Sequence, residues 1–265
     1  MKDHTMTTNQ RLALLIDGDN AQAALLPQML AEITKYGSIT IRRVYGDWTE
    51  PNMKSWKEEM HTYALQPIQQ FRYTQGKNAT DSALIIDAMD ILYTAGVDGF
   101  CIASSDSDYT RLATRIREKN LFVLGIGKKL TPRAFVNACN VFVYTENLDA
   151  IPSAKNTEKS ADVNKVKQAT KDKADARVRL ENLFRTAFDL AVQDDGWAHL
   201  GSLGSSLRQL DSAFDSRTYG YKQLSQLVKA YSSFIEVDKA RSVSGIIYVR
   251  PKEKPKTKTK PTETS

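Results

Sequence analysis

Short apolar runs alternate with helically spaced apolar residues along the first half of the chain. RLALLID, Arg11 to Asp17, reads as a fully buried strand. Asn20 to Tyr36 reads as a helix that Gly37 ends, and SITIRRVYGDW follows as a second strand. Pro51 suits the first turn of a helix, where its missing N–H would go unpaired in any case, and that helix reaches about Leu65. PIQQFRYT predicts a third strand, Thr80 to Ala95 an amphipathic helix ended by Gly96, and GFCIASS a fourth strand. Asp108 to Lys119 predicts a helix, LFVLGIG a fifth strand, Pro132 to Ala138 a short helix, and VFVYT a sixth strand. Strands separated by helices imply βαβ units. The expected fold class is therefore α/β: a mainly parallel sheet with helices on both faces and right-handed crossovers.

The pattern fades from Ile151 to about Asp175. This stretch has no aromatic and few large apolar residues, too few to offset the entropy of ordering it, and reads as a partly helical linker. Val178, Leu180, Leu183, Phe184, Phe188 and Leu190 then return at helical spacing, until Asp194-Asp195-Gly196 breaks the helix. A short helix over Leu203 to Leu210 and a longer one over Tyr219 to Tyr231 follow. FIEVDKA and GIIYVRP pair as a hairpin with Arg241 near its tip. Helices followed by a basic-tipped hairpin describe a smaller, C-terminal winged helix-turn-helix domain. The expected organisation is a disordered start over 1–10, an α/β domain over 11–150, a linker over 151–175, the winged helix over 176–250, and a disordered Lys/Pro/Thr-rich tail over 251–265.

Composition narrows the classes. Two cysteines, Cys101 and Cys139, exclude a disulfide scaffold and a four-cysteine zinc site. His4, His61 and His199 lack metal-ligand spacing. No apolar run reaches the ~18 residues of a membrane span, and the polar start MKDHTMTTNQ lacks a signal peptide's apolar stretch. A cytoplasmic protein with reduced thiols is expected, with no membrane partner. The net charge of +6 is unevenly shared: residues 1–150 hold 16 basic and 17 acidic residues, and residues 151–265 hold 21 and 14. A basic second half points to a polyanion, or simply to lysines that keep linker and tail solvated.

The first half carries the chemistry. Asp17 ends the first strand in LLIDGDN, and Asp106 and Asp108 follow the fourth strand in IASSDSDY. Strand order 3-2-1-4-5 places strands one and four side by side at the switch point, where such sheets bind ligands beyond the carboxyl ends of their strands. The three acids then converge, and Asp81 joins them from the first turn of the helix that opens in GKNATDSAL, with Lys77 just before it. Clustered carboxylates repel one another, and a hard cation such as Mg²⁺ or Mn²⁺ offsets that cost. Such a site can activate water and stabilise charge on a phosphodiester. Structural roles stand beside these. Asp19 caps a helix in the preferred reading, Asp108 or Ser107 can cap the helix after strand four, and Asp81 can serve a helix dipole. Asp87 lies about 600° round the helix from Asp81, off its face, and is at most a reserve ligand.

LLIDGDN, GKNATDSALIIDAMD and IASSDSDYTRLATRIREKNLFVLGIG, in this order, resemble an NYN domain of the LabA-like, PIN-like nuclease group over roughly Arg11 to Leu148. The resemblance implies a PIN-like, Rossmann-like α/β fold and a metal-dependent ribonuclease. Its acidic positions correspond to Asp17, Asp81, Asp106 and Asp108, and its asparagine after strand one to Asn20, which orients Asp17 or touches substrate. The second half, from GWAHLGSLGSSL through Tyr219-Gly220-Tyr221 to GIIYVRPK, resembles an OST-HTH, or LOTUS, domain over about Arg177 to Lys252. That family implies binding of RNA, single-stranded or structured, or of a partner protein. An RNA-binding or scaffold protein without catalysis is the competing class. A minor alternative takes DGD as a haloacid-dehalogenase phosphatase motif, with Asp17 as nucleophile and Asp19 as acid/base.

Several other residues are candidate RNA contacts. GIGKKLTPR lacks P-loop spacing, but Lys128, Lys129 and Arg133 lie at the carboxyl edge of the sheet and can guide a phosphate backbone or form a solvated turn. Residues 176–250 carry only 10 basic against 8 acidic residues, so binding there needs local placement of Arg217, Lys222, Lys239 and Arg241. Tyr219 or Tyr221 can stack on a base, with Tyr221 expected to pack inward. Lysines 252, 254, 256, 258 and 260 can neutralise phosphates without sequence preference. Arg42 and Arg43 read as surface residues, and Tyr45 and Trp48 as packing on the next helix.

Overall fold

The structure, a computed structural model, describes residues 10–71, 79–148, 163–238 and 246–252. The chain divides into two compact units. The first holds β1 (Arg11–Asp17), α1 (Leu26–Ile33), β2 (Ser38–Gly46), α2 (Lys54–Tyr63), β3 (Gln66–Gln69) and α3 (Ala79–Thr94). It continues with β4 (Gly99–Ala103), α4 (Thr110–Glu118), β5 (Phe122–Gly127), α5 (Arg133–Ala138) and β6 (Val141–Tyr144).

The six strands form one parallel sheet in the order β3-β2-β1-β4-β5-β6. Parallel strands covered on both faces read as apolar runs, not as alternations, and β1 shows it: Leu12 to Asp17 are all buried. Alternate residues serve two cores. Ala13 and Leu15 pack with residues of α3, α4 and α5, whereas Leu12, Leu14 and Ile16 pack with α1 and α2 around Met29 and Trp56. Strand order reverses between β1 and β4, as the expected order requires.

The first helix is shorter than its apolar spacing suggests. Asn20 and Ala21 return their N–H groups to the Asp17 carbonyl, which turns the chain, and a 3-10 turn at Ala23–Leu25 precedes α1. Gly18 fits this turn because a Cβ there would stand 2.8 Å from the Tyr45 carbonyl oxygen and 2.7 Å from Met53 Cε.

The second unit contains α6 (Val163–Ala191), β7 (Ala198–His199), α7 (Leu200–Leu210), α8 (Leu224–Ala230), β8 (Ile235–Asp238) and β9 (Tyr248–Pro251). The strands pair antiparallel in the order β7-β9-β8, the small sheet of a winged helix-turn-helix. The helix expected over Tyr219 to Tyr231 is divided. A 3-10 turn at Ser216–Tyr219 ends in Gly220 at φ +85°, a left-handed geometry that glycine adopts at little cost, and α8 starts only at Leu224. α6 begins at Val163, inside the stretch read as linker. Residues 1–9, 151–162 and 253–265, with Lys77, Lys239 and Arg241, lie outside the described residues. No helix among the described residues is long and apolar enough to cross a membrane.

Candidate metal centre

The carboxyl ends of β1 and β4 deliver the acids. β4 stops at Ala103, and the Asp106 carboxylate caps the following 3-10 turn by accepting the Asp108 N–H at 2.9 Å. The Asp106 N–H in turn donates to Ser104 Oγ at 3.1 Å. These short-range bonds aim Asp106 and Asp108 outward from the sheet edge. Asp81 faces them from the first turn of α3. Oxygens of Asp81, Asp106 and Asp108 all lie within 4.8 Å of one another. Asp81 is buried, Asp106 half-buried and Asp108 exposed, so the group opens to solvent on one side.

Asp17 stands apart from that trio. Its side chain is fully buried and both its oxygens are engaged. Oδ1 accepts the Asp19 and Asn20 N–H groups, and Oδ2 accepts Asn20 Nδ2 at 2.7 Å and the Ser104 hydroxyl at 2.9 Å. Burial pushes its pKa up, the bonds from Asn20 and Ser104 oppose the rise, and Asp19 adds to it. Asn20 thus holds Asp17 through its side-chain amide. A phosphatase would need an Asp17 oxygen open to substrate, and burial denies one. Asp19 accepts the Thr80 hydroxyl at 2.9 Å and Asn52 Nδ2 at 3.3 Å, so it ties α3 to the loop after β1, where a helix cap had been expected.

The Tyr109 hydroxyl donates to Asp81 Oδ1 at 2.6 Å from a fully buried ring beside Phe135. Desolvation raises the Asp81 pKa, the Tyr109 bond opposes the rise, and the charges of Asp17, Asp106 and Asp108 add to it. The Tyr109 hydroxyl itself is pushed far up, first by burial and then by the surrounding carboxylates. Sequence reasoning passed over Tyr109, Ser104 and Thr80. Their signal was position alone: polar atoms directly flanking the acidic motifs.

The donors suit a hard divalent cation. They are carboxylate oxygens only, the neighbouring charges add to the raised pKa of Asp81, and the exposed side leaves room for water or a phosphate. Asp81, Asp106 and Asp108 would hold the ion. Asp87 is not in reach as a reserve ligand: its carboxylate is taken by the Arg43 guanidinium and the Tyr45 hydroxyl. Arg42 likewise turns inward, to the Tyr63 carbonyl at 3.0 Å, and Trp48 Nε1 donates to the Ile68 carbonyl.

The other candidates are placed as follows. Lys128 and Lys129 have exposed side chains in the loop after β5, with their N–H groups held by Ser105 Oγ and by the Glu146 carboxylate. A shallow cleft lined by Asn20, Ser104, Ser105, Lys128 and Thr145 adjoins Asp17. Arg133 opens α5 with its side chain two-thirds exposed. In the second unit, Arg217 is committed to Asp215, with Nη2 at 2.5 Å. Lys222 is exposed, Tyr219 is half-buried, and Tyr221 rests against Tyr231 with ring centroids 6.3 Å apart.

The model of the NYN domain matches residues 11–149, just over half of the chain, and that of the OST-HTH/LOTUS domain matches residues 171–247. No curated protein matches the chain. Among solved structures it is similar to a protein of unknown function from Vibrio parahaemolyticus, at 18% identity and TM-score 0.44 over 54% of this chain and 96% of that one. It is also similar to an uncharacterized protein from Nitrosomonas europaea, at 31% identity and TM-score 0.27 over 40% and 90%. NYN domains are a PIN-like nuclease family that typically uses divalent metals, and OST-HTH domains bind RNA. The acids at the β1–β4 switch point and the six-stranded parallel sheet beneath them agree with that match, and the chain belongs to the NYN domain family, with an OST-HTH/LOTUS domain following.

Proposed function

We propose that the chain is a cytoplasmic ribonuclease that hydrolyses RNA phosphodiester bonds at the acid cluster with Mg²⁺ or Mn²⁺, while the OST-HTH domain binds RNA. The observation that carries this reading is the convergence of Asp81, Asp106 and Asp108 at the switch point of the sheet. When bound, a divalent cation supplies charge neutralisation at the phosphate and lowers the pKa of water. The chain's own groups do the rest. Tyr109 holds one oxygen of Asp81, leaving the other to face Asp106 and Asp108. Asp17, locked by Asn20 and Ser104, supplies fixed negative charge beneath the cluster. Histidine is absent from all three motifs, so an exposed carboxylate, Asp108, takes up the proton of the attacking water as the P–O bond breaks and hands it on to the leaving oxygen. Asn20 and Lys128 line the adjoining cleft and contact the substrate, with Lys129 and Arg133 at the same sheet edge. Lys77, Lys222, Tyr219, Lys239 and Arg241 add RNA contacts, and Arg217 does so only by leaving Asp215. The OST-HTH surface can also take a protein partner.

The test is cleavage of single-stranded and structured RNA by the purified chain with Mn²⁺, Mg²⁺ or EDTA, beside Asp106→Asn. We expect cation-dependent cleavage that Asp106→Asn lowers by about 10²-fold or more. Cleavage that persists equally in EDTA or in the variant overturns the mechanism. Tight RNA binding with no cleavage under any condition makes the chain a non-catalytic binding protein.

A further inference from the structure

α4 leaves the acid cluster as a basic helix. Residues 110–119 carry Arg111, Arg115, Arg117 and Lys119 against Glu118 alone, whereas residues 1–150 together carry net charge −1. Arg111, Arg115 and Lys119 follow one another at steps of four, so they form a single stripe with about 6 Å of rise per step. All three are exposed, and the stripe begins three residues after Asp108. Beside its far end stands Tyr93, on the last turn of α3 and 58% exposed. Arg115 Nη2 donates to the Tyr93 hydroxyl at 3.1 Å, and the Lys119 ammonium lies 5.4 Å from the centroid of its ring.

Packing does not account for this arrangement. Arg117 shows what a structural arginine on this helix does: it donates to the Asn137 and Ala138 carbonyls and braces α5. Outside α4, Arg115 and Lys119 reach only the exposed Tyr93 of α3, through its hydroxyl and its ring face, and among the described residues no backbone carbonyl of a neighbouring element. Arg111 has no ion pair among the described residues, and Arg115 pairs with Glu118 at 3.3 Å with both side chains about half exposed, a contact that water and salt weaken. A row of cations leading from an acid cluster to an exposed aromatic ring matches the two needs of a single nucleic-acid strand: neutralised phosphates and a face for a base.

We propose that Arg111, Arg115, Lys119 and Tyr93 form a track for the single RNA strand on one side of the scissile phosphate. The three cations meet successive phosphates and Tyr93 stacks a base. The proposal deepens the ribonuclease reading and rests on it. RNA would then be gripped by the NYN domain itself, before any contribution of the OST-HTH domain.

The test uses the full chain. In the first arm, Asp106→Asn protein is photocrosslinked to a single-stranded RNA carrying 5-iodouridine, and the adduct is mapped by mass spectrometry. We expect an adduct at Tyr93. In the second arm, Arg111→Ser, Arg115→Ser and Lys119→Ser are combined in the otherwise unchanged chain and cleavage is measured over a range of salt. We expect KM to rise about tenfold or more with kcat unchanged, and the log–log salt slope to fall by about 2, since each single-strand phosphate contact contributes roughly 0.7. Tyr93→Ala should raise KM about fivefold or more. Lys54→Ser with Lys57→Ser, on α2 behind the opposite face of the sheet, removes charge without touching the track and should move KM little. Arg111→Glu alone should act in the direction of the triple variant, and melting temperatures confirm that the variants fold.

A triple variant indistinguishable from the α2 pair, as expected if the stripe serves an acidic protein partner, overturns the track and leaves the nuclease reading standing. A wild-type chain that cleaves nothing, while the triple variant loses RNA binding, overturns the nuclease reading and leaves the track standing.

Discussion

At the scale of single residues, the site stores unfavourable electrostatics that a bound cation would relieve. Asp81 is buried beside three other carboxylates, and its pKa is raised first by desolvation and then by their charge. A carboxylate whose pKa is higher in the fold than in the unfolded chain stabilises the fold at low pH, and that contribution is lost as pH rises through the folded pKa. The metal-free protein should therefore lose melting temperature as Asp81 ionises, and Mg²⁺ should restore more of it at pH 7 than at pH 4. Asp81→Asn keeps an oxygen that can accept the Tyr109 hydroxyl while removing the charge. We expect it to stabilise the metal-free protein by about 1 kcal/mol and to abolish cleavage; a lowered melting temperature in EDTA would refute the account of stored repulsion. Tyr109→Phe does the opposite. It leaves a buried carboxylate without its hydroxyl donor and should cost about 1–3 kcal/mol. It should also weaken Mn²⁺ binding measured by calorimetry on RNA-free protein. Unchanged Mn²⁺ affinity would reduce Tyr109 to a packing residue.

At the scale of elements, the orientation of α3 decides whether Asp81 meets its partners. The helix is apolar nearly all round: Leu84, Ala88 and Ile91 are buried, Ile85, Met89 and Leu92 are partly packed, and Ile86 is exposed. Hydrophobic burial alone therefore specifies its rotation weakly. Polar ties supply the rest. Thr80 bonds Asp19, and two turns on Asp87 accepts from both Arg43 and Tyr45 of β2. Arg43 and Asp87 are each about one-quarter exposed, so the pair is more than a surface ion pair. Asp87→Ala should cost about 1–3 kcal/mol in chemical denaturation. A double-mutant cycle with Arg43→Ala should return a coupling of about 1 kcal/mol or more, and additive losses would show that the tie does not orient the helix. Legibility follows the same division. The strands could be read from the chain because apolar runs recur between helix-length spacers, whereas the order 3-2-1-4-5 came from the general pattern of doubly wound sheets and is fixed by the pairings of the fold. Asp17, Asp106 and Asp108 could be read because each sits where such a run stops, and Asp81 because it opens the helix that leads into β4. The length of α1 could not, because the Asp17 turn that delays it depends on backbone bonds absent from any periodicity. Nor could the partners of Asp81 and Asp87, because which hydroxyl or guanidinium meets a carboxylate across 28 or 44 residues is settled by tertiary register.

At the scale of the whole molecule, charge and chemistry are divided between the halves. The first unit carries the acids at the end of its sheet, while the basic excess of residues 151–265 is shared among residues 151–175, 176–250 and 251–265. Residues 176–250 have only two more basic than acidic residues, and Arg217 within them is neutralised by Asp215. Most of the excess therefore lies outside residues 176–250 and, under the proposed function, would attract phosphate rather than read sequence. Under the proposed function, such an excess would raise the local concentration of RNA at the site without entering the chemical step. Replacing Lys252, Lys254, Lys256, Lys258 and Lys260 by glutamine should therefore raise KM and leave kcat at saturating RNA unchanged. Counterion release sets the size of the effect: five phosphate contacts at roughly 0.7 each would flatten the log–log salt dependence by up to about 3.5. The difference from wild type should shrink towards zero at high salt, where neither chain gains from releasing ions. Cleavage kinetics from about 50 mM to 500 mM KCl resolve the two parameters. A fall in kcat at constant KM would place the tail in the chemistry itself and refute a division of labour in which the first unit cuts and the second half holds.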